Sequence, residues 1–326
     1  MQRAVALALA ALALIAAPLP AVAQQAAKVP SVGFLGVASA AATARRVEAF
    51  RLGLRGSGYT EGKNVVIEFR WADGNYDRLP DLAAELVRLK VDVLVTSGTP
   101  GTLAAKRATT AIPIVMAVAG DAVATGLVAS LAQPGGNVTG STVFGPEIVV
   151  KRMELLKAVM PRLARTAFLF NPDNPASVTE NKEIESAARS MKLEISYFKA
   201  RKPAEFDAAF TAMAKIHADG VVVTDDAMLN SNFRRIAEIA GQKRLPSAGN
   251  TDLAEAGALI GYGVNVPEMY RRAAYFVDRI LKGAKPGALP VERATKIDLV
   301  INLKTAKTLG LTIPPSVLGR ADEVIR

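Results

Sequence analysis

The stretch Leu131-Ala132-Gln133-Pro134-Gly135-Gly136-Asn137-Val138-Thr139-Gly140 decides how this chain folds, because it interrupts one regular pattern and lets it start again. Pro134, Gly135 and Gly136 break any helix or central strand, so residues 133–137 read as a turn, and a short strand at Val138–Val143 leads out of it. Upstream, β-rich runs alternate with amphipathic helical stretches, the pattern of a parallel sheet covered by helices. Residues 32–38 are apolar enough for a strand buried on both faces. The helix after it carries Val47, Phe50 and Leu54 on one side and ends near Gly56-Ser57-Gly58, a helix stop. Residues 64–71 form a second strand, and Leu79, Leu82, Leu86 and Leu89 recur at helical spacing behind it. Strands at 91–96 and 112–117 complete four βα units.

Downstream of the interruption the alternation restarts. A helix begins near residue 147, a strand spans 166–170, a helix begins near 177, and a strand spans 193–198. Phe206, Phe210 and Met213 mark one face of the next helix, followed by a strand at 220–224 and a helix over 230–241. The remainder reads as a strand at 258–262, a helix at 267–282, a Pro/Gly loop at 283–290 and a strand at 296–301. That is too little for a third domain. These pieces return to the two lobes already built, so the chain crosses between them several times and makes a hinge beside a cleft that closes. The fold class is α/β, two doubly wound parallel-sheet lobes joined by a multi-crossover hinge. The expected division assigns 30–143 with about 250–284 to the N-terminal lobe and 144–249 with about 285–326 to the C-terminal lobe.

Residues 1–23 read as a cleaved secretory signal. Arg3 precedes an apolar run shorter than the roughly 20 residues that span a bilayer, Pro18 and Pro20 break it, and Ala21-Val22-Ala23 supplies the small residues of a cleavage site. No cysteine follows to carry a lipid, so the mature chain is expected free in the periplasm. The net charge of +10 comes from Lys and Arg interleaved with Asp and Glu, as in Lys151-Arg152-Met153-Glu154. Dispersed charge of this kind is a solvated surface, and no nucleic-acid motif accompanies it, so no nucleic-acid partner is expected.

In open parallel sheets, ligands sit beyond the carboxyl ends of the strands, where helix N-termini offer unpaired N–H groups. In the first lobe those ends bring Ser39, Ser97, Gly98, Thr99, Gly120 and Asp121 to the cleft. The hydroxyls of Ser39 and Thr99 suit a carboxylate, with helix capping as the alternative use of the same residues. Asp121 suits a ligand ammonium or, alternatively, an Asx turn. In the second lobe the corresponding ends hold Asn171 and the adjacent acids Asp225 and Asp226, fit to bind an amine or cap a helix. Phe144 and Tyr262 flank expected crossovers, where aromatic rings stack on ligands. Trp71, on an expected edge strand, reads as packing. Catalysis finds little support: His217 is the only histidine, there are no cysteines, and neither a Gly-x-Ser-x-Gly elbow nor a phosphate-binding glycine loop follows a strand. No metal site and no cofactor is expected.

The segments Leu131 to Gly140 and Val300-Ile301-Asn302-Leu303-Lys304-Thr305-Ala306-Lys307-Thr308-Leu309-Gly310-Leu311, with the ending Ile313-Pro314-Pro315-Ser316-Val317-Leu318 and Arg320-Ala321-Asp322-Glu323-Val324-Ile325, resemble one group of ABC-transporter substrate-binding proteins. The resemblance, to the TrpX-type members, covers essentially the whole mature chain and implies the type I periplasmic-binding fold. It implies a monomeric solute-binding component of an importer, which captures a small molecule and delivers it to a membrane permease, and an amino-acid ligand, aromatic by the TrpX likeness. An exported enzyme or a ligand-sensing module of the same fold is the alternative.

Overall fold

A computed structural model describes residues 28–326 apart from residue 180, and side chains apart from those of residues 178–182. The expected signal peptide, residues 1–23, lies outside the described residues. The chain first lays down strands β1 (Ser31–Gly36), β2 (Val66–Trp71), β3 (Val93–Thr96), β4 (Ile114–Gly120) and β5 (Val138–Val143), joined in the spatial order β5-β4-β3-β1-β2 with every pairing parallel. Val32 and Phe34 on β1 are buried in one apolar cluster with Val93, and Leu35 in a second with Leu94, so both faces of the sheet are covered. Edge strand β2 ends in Trp71, whose ring stacks on Phe69 at 5.6 Å and packs against Phe34; it is half-buried against the core of this lobe.

A second sheet starts with β6 (Arg165–Phe170), β7 (Glu194–Lys199), β8 (Gly220–Val223), β9 (Ser247–Gly249) and β10 (Ile260–Val264). The chain then returns to the first sheet with β11 (Glu292–Arg293), parallel to β5, and goes back to the second with β12 (Ile297–Asn302) and β13 (Glu323–Ile325). The second sheet runs β13-β12-β10-β9-β8-β6-β7, with one antiparallel pair, β10 and β12, where the returning chain enters from the opposite direction. Three crossovers, at 143–145, 264–266 and 293–297, therefore join the lobes.

This pairing corrects the expected lobe boundaries in two places. Residues 250–264 belong with the second sheet, because β10 pairs with β9 and β12, and Leu259 and Ile260 are fully buried beside Phe168, Val222 and Ala248. Residues 285–293 belong with the first sheet, where β11 lies beside β5 and Val291 packs against the core that holds Val138. The helix Val266–Leu281 does return to the first lobe, burying Tyr270, Ala273, Phe276 and Val277 against the Ala40–Gly56 helix and its sheet. Among the described residues no helix is long and apolar enough to cross a membrane.

Candidate ligand-binding site

The carboxyl ends of β3 and β4 face those of β6 and β8 across the cleft, and the space between them closes into a cavity of about 110 Å³. The first lobe lines it with Val37, Ala38, Arg46, Ser97, Gly98, Thr99, Val118 and Gly120. The second lobe supplies Ile148, Asn174, Ala176, Asp225, Asp226, Asn230 and Asn250, and the crossovers add Val143, Gly145, Val264 and Val266. The returning helix contributes Tyr270.

On the first-lobe wall the helix Gly98–Ala108 begins at the cavity. Ser97 holds its N-cap position without a side-chain capping bond, so the first-turn N–H groups keep their affinity for an anion. Thr99 is 1% exposed, and its Oγ1 has no hydrogen-bond partner among the described residues. Tyr270 is wholly buried beside them; burial raises its pKa, against the opposing pull of Arg46 and Ser97, and keeps the phenol neutral. Arg46, nearly buried, donates to Asp252 Oδ2 at 2.5 Å.

The second-lobe wall treats its two adjacent acids differently. Asp225 turns its carboxylate into the cleft with 41% of the side chain exposed. Its Oδ2 accepts from Arg152 Nη2 at 2.8 Å and its Oδ1 from Asn250 Nδ2 at 3.0 Å. Arg152 is wholly buried, donating also to the Tyr262 carbonyl at 2.8 Å and the Val223 carbonyl at 3.2 Å, so the acid stands on a fixed counter-charge. Asp226 is buried and saturated. Its Oδ1 accepts from Met228 N and Leu229 N, capping the Ala227–Asn230 helix, and from Asn171 Nδ2 at 3.3 Å. Its Oδ2 accepts from Asn174 Nδ2 at 3.2 Å and from the Tyr76 hydroxyl at 2.5 Å. Burial raises the Asp226 pKa, and the bonds from Tyr76, Leu229, Asn171 and Asn174 pull it back. Tyr76 comes from the first lobe, so this contact ties the lobes together, as do Arg46 to Asp252 and Arg45 to Glu255.

Of the residues singled out from the sequence, Ser97, Gly98, Thr99, Gly120, Asp225 and Asp226 meet at this cavity. The others lie outside its lining. Ser39 accepts from Ala42 N as an N-cap. Asp121 Oδ1 accepts from Val123 N and Ala124 N, the Asx-turn alternative. Phe144 lies under the Arg293 guanidinium at the first crossover. Tyr262 offers Arg152 its carbonyl while its side chain packs in the second-lobe core. Asn171 acts through Asp226. His217 ends a helix with φ +53. Sequence reasoning missed Arg46, Tyr76, Arg152, Asn174, Asn230, Asn250 and Tyr270. Arg152 carried a visible signal, a cation inside the apolar stripe of Val149, Met153 and Leu156. Among the described residues no group of three or more His, Cys, Asp or Glu is placed to hold a metal ion.

A family model described as ABC transporter substrate binding protein matches residues 31–325. The chain is 27% identical over 260 residues to the tyrosine-binding protein of Clostridioides difficile (strain R20291), covering 79% of this chain and 74% of that one. It is similar to a solved structure of a conserved domain protein from Vibrio cholerae, with 32% identity, a TM-score of 0.86 and coverage of 91% of this chain and 100% of the other. It is similar also to an ABC domain from Streptococcus pneumonia solved in complex with L-Trp, with 28% identity, a TM-score of 0.85 and coverage of 91% and 99%.

Proposed function

The chain belongs to the family of ABC transporter substrate-binding proteins and has their type I periplasmic-binding fold, and from that premise we propose that its interlobe cavity captures an amino acid with an apolar, aromatic side chain. The observation that carries this reading is the opposition of two complementary walls. The unpartnered Thr99 hydroxyl at the start of a helix suits an α-carboxylate. The cleft-facing Asp225, held on Arg152, suits an α-ammonium. Val37, Val118, Val143, Ile148, Val264 and Val266 give the side chain an apolar bed. The names of two relatives, one a tyrosine-binding protein and the other solved with L-Trp, support the same class of ligand.

The protein works by binding alone, as a monomer in the periplasm to which residues 1–23 direct it, and hands its ligand to an inner-membrane permease powered by an ATPase. Thermal denaturation against a panel of aromatic and aliphatic L-amino acids, sugars and polyols tests this. An aromatic amino acid at about 100 times its Kd adds about 2.7 kcal/mol to stability. Stabilisation by a sugar and by no amino acid overturns the ligand class, and turnover of the stabilising ligand overturns a role in binding alone.

A further inference from the structure

The Asn230 Oδ1 is buried and has no hydrogen-bond partner among the described residues. Asn230 closes the Ala227–Asn230 helix, lines the ligand cavity, and also lines a second pocket outside it. Only Asn230 and Arg46 are shared by the two linings. They mark the partition where the cavity and the outer cleft meet, whereas Thr99 and Asp225 line the inner cavity alone. A desolvated amide oxygen without a donor is unfavourable, and a ligand that brings an N–H or O–H relieves it. The charge on that partition decides which donor fits. Asp252 and Glu255 of the outer pocket are already engaged by Arg46 and Arg45, and Arg234 lines the same pocket, so no free carboxylate there calls for a cationic donor and a neutral one suffices. The α-ammonium belongs at Asp225, which leaves Asn230 for the far end of the side chain.

We infer that Asn230 is a specificity-determining residue that reads a neutral ring donor, an indole N–H or a phenol O–H, and so separates donor-bearing aromatic amino acids from phenylalanine. The inference rests on the amino-acid reading of the cavity. A site that pairs a buried acceptor with a ligand donor discriminates strongly against the analogue that lacks it, because the acceptor is then left unpaired.

Calorimetric titration of the full chain with L-tryptophan, L-tyrosine and L-phenylalanine tests it. The wild type binds tryptophan or tyrosine roughly 10- to 100-fold more tightly than phenylalanine. Asn230→Leu keeps the volume and removes the acceptor, so affinity for phenylalanine holds or rises while the preference falls to within about threefold. Benzothienylalanine, which is tryptophan with sulfur in place of the ring N–H, repeats the test on the unaltered protein and binds about 10-fold or more weakly than tryptophan. Equal weakening of all three ligands by Asn230→Leu, an unchanged preference in that variant, or equal binding of benzothienylalanine and tryptophan overturns the assignment. Amino-acid binding without ring-donor discrimination defeats this inference only, whereas a wild type that binds no amino acid defeats the amino-acid reading and this inference with it.

Discussion

Asp225 and Asp226 are neighbours with opposite tasks, since successive side chains of an extended segment point to opposite sides. Asp225 faces the cleft on Arg152, and Asp226 faces inward to cap a helix and to receive Tyr76. Substitution should separate the two roles. Asp225→Asn keeps an acceptor for Asn250 but removes the charge, and should weaken amino-acid binding about 10- to 100-fold in titration. Asp226→Ala removes a cap and orphans Asn171, Asn174 and Tyr76, and should lower stability by roughly 2–4 kcal/mol in denaturant unfolding. The pH dependence follows from burial, which raises the Asp226 pKa above its unfolded value. The folded protein holds that proton more tightly than the unfolded chain, so ionisation of Asp226 lowers stability as pH rises through the raised pKa. Asp226→Asn, which has no proton to lose, should therefore lack this contribution. Relative to the variant, the wild type should gain stability on going from about pH 7 to pH 4, as read from denaturation midpoints.

At the scale of elements, the pairing of the Ala40–Gly56 and Val266–Leu281 helices ties the late part of the chain to the first lobe. Gly53 permits the contact: a Cβ there would meet the Arg271 carbonyl oxygen and, at 2.8 Å, the Ala274 Cβ. Gly53→Val should cost about 1–3 kcal/mol of stability by overpacking, with the ligand-facing residues untouched. The leucine and valine stripes made the long helices legible in sequence, because one buried face repeats at helical spacing. Shorter elements left little pattern. Strand β9 has three residues, and the helix read over 230–241 is two helices, Ala227–Asn230 and Phe233–Gln242. Asp226 starts the first of them, which puts Asn230 at the end of a helix instead of at the start.

At the scale of the whole molecule, the two lobes touch through Tyr76 and Asp226, Arg46 and Asp252, Arg45 and Glu255, and Gly120 and Ala176. A Cβ on Gly120 would lie 2.6 Å from the Ala176 Cβ, so Gly120→Val should wedge the cleft open. Small-angle scattering should then show no contraction on adding ligand, where the wild type becomes more compact. Tyr76→Phe removes one bridging bond and spares the cavity wall, so it should speed ligand release by roughly 5- to 30-fold in stopped-flow measurements.

The alternation of strands and helices, its interruption at Pro134-Gly135-Gly136 and its restart determined two parallel-sheet lobes, since period and punctuation are local properties of a chain. Strand ends also placed Ser97, Thr99 and Asp225 near one another, because parallel sheets gather their carboxyl ends on one side. Tertiary structure decided the rest. The return of residues 250–264 to the second sheet depends on which core Leu259 and Ile260 complete, a partnership between residues distant in sequence. The roles of Asp226, Arg152 and Asn230 likewise depend on what lies across the cleft or beneath the wall, and no local pattern encodes a partner about 70 or 150 positions away.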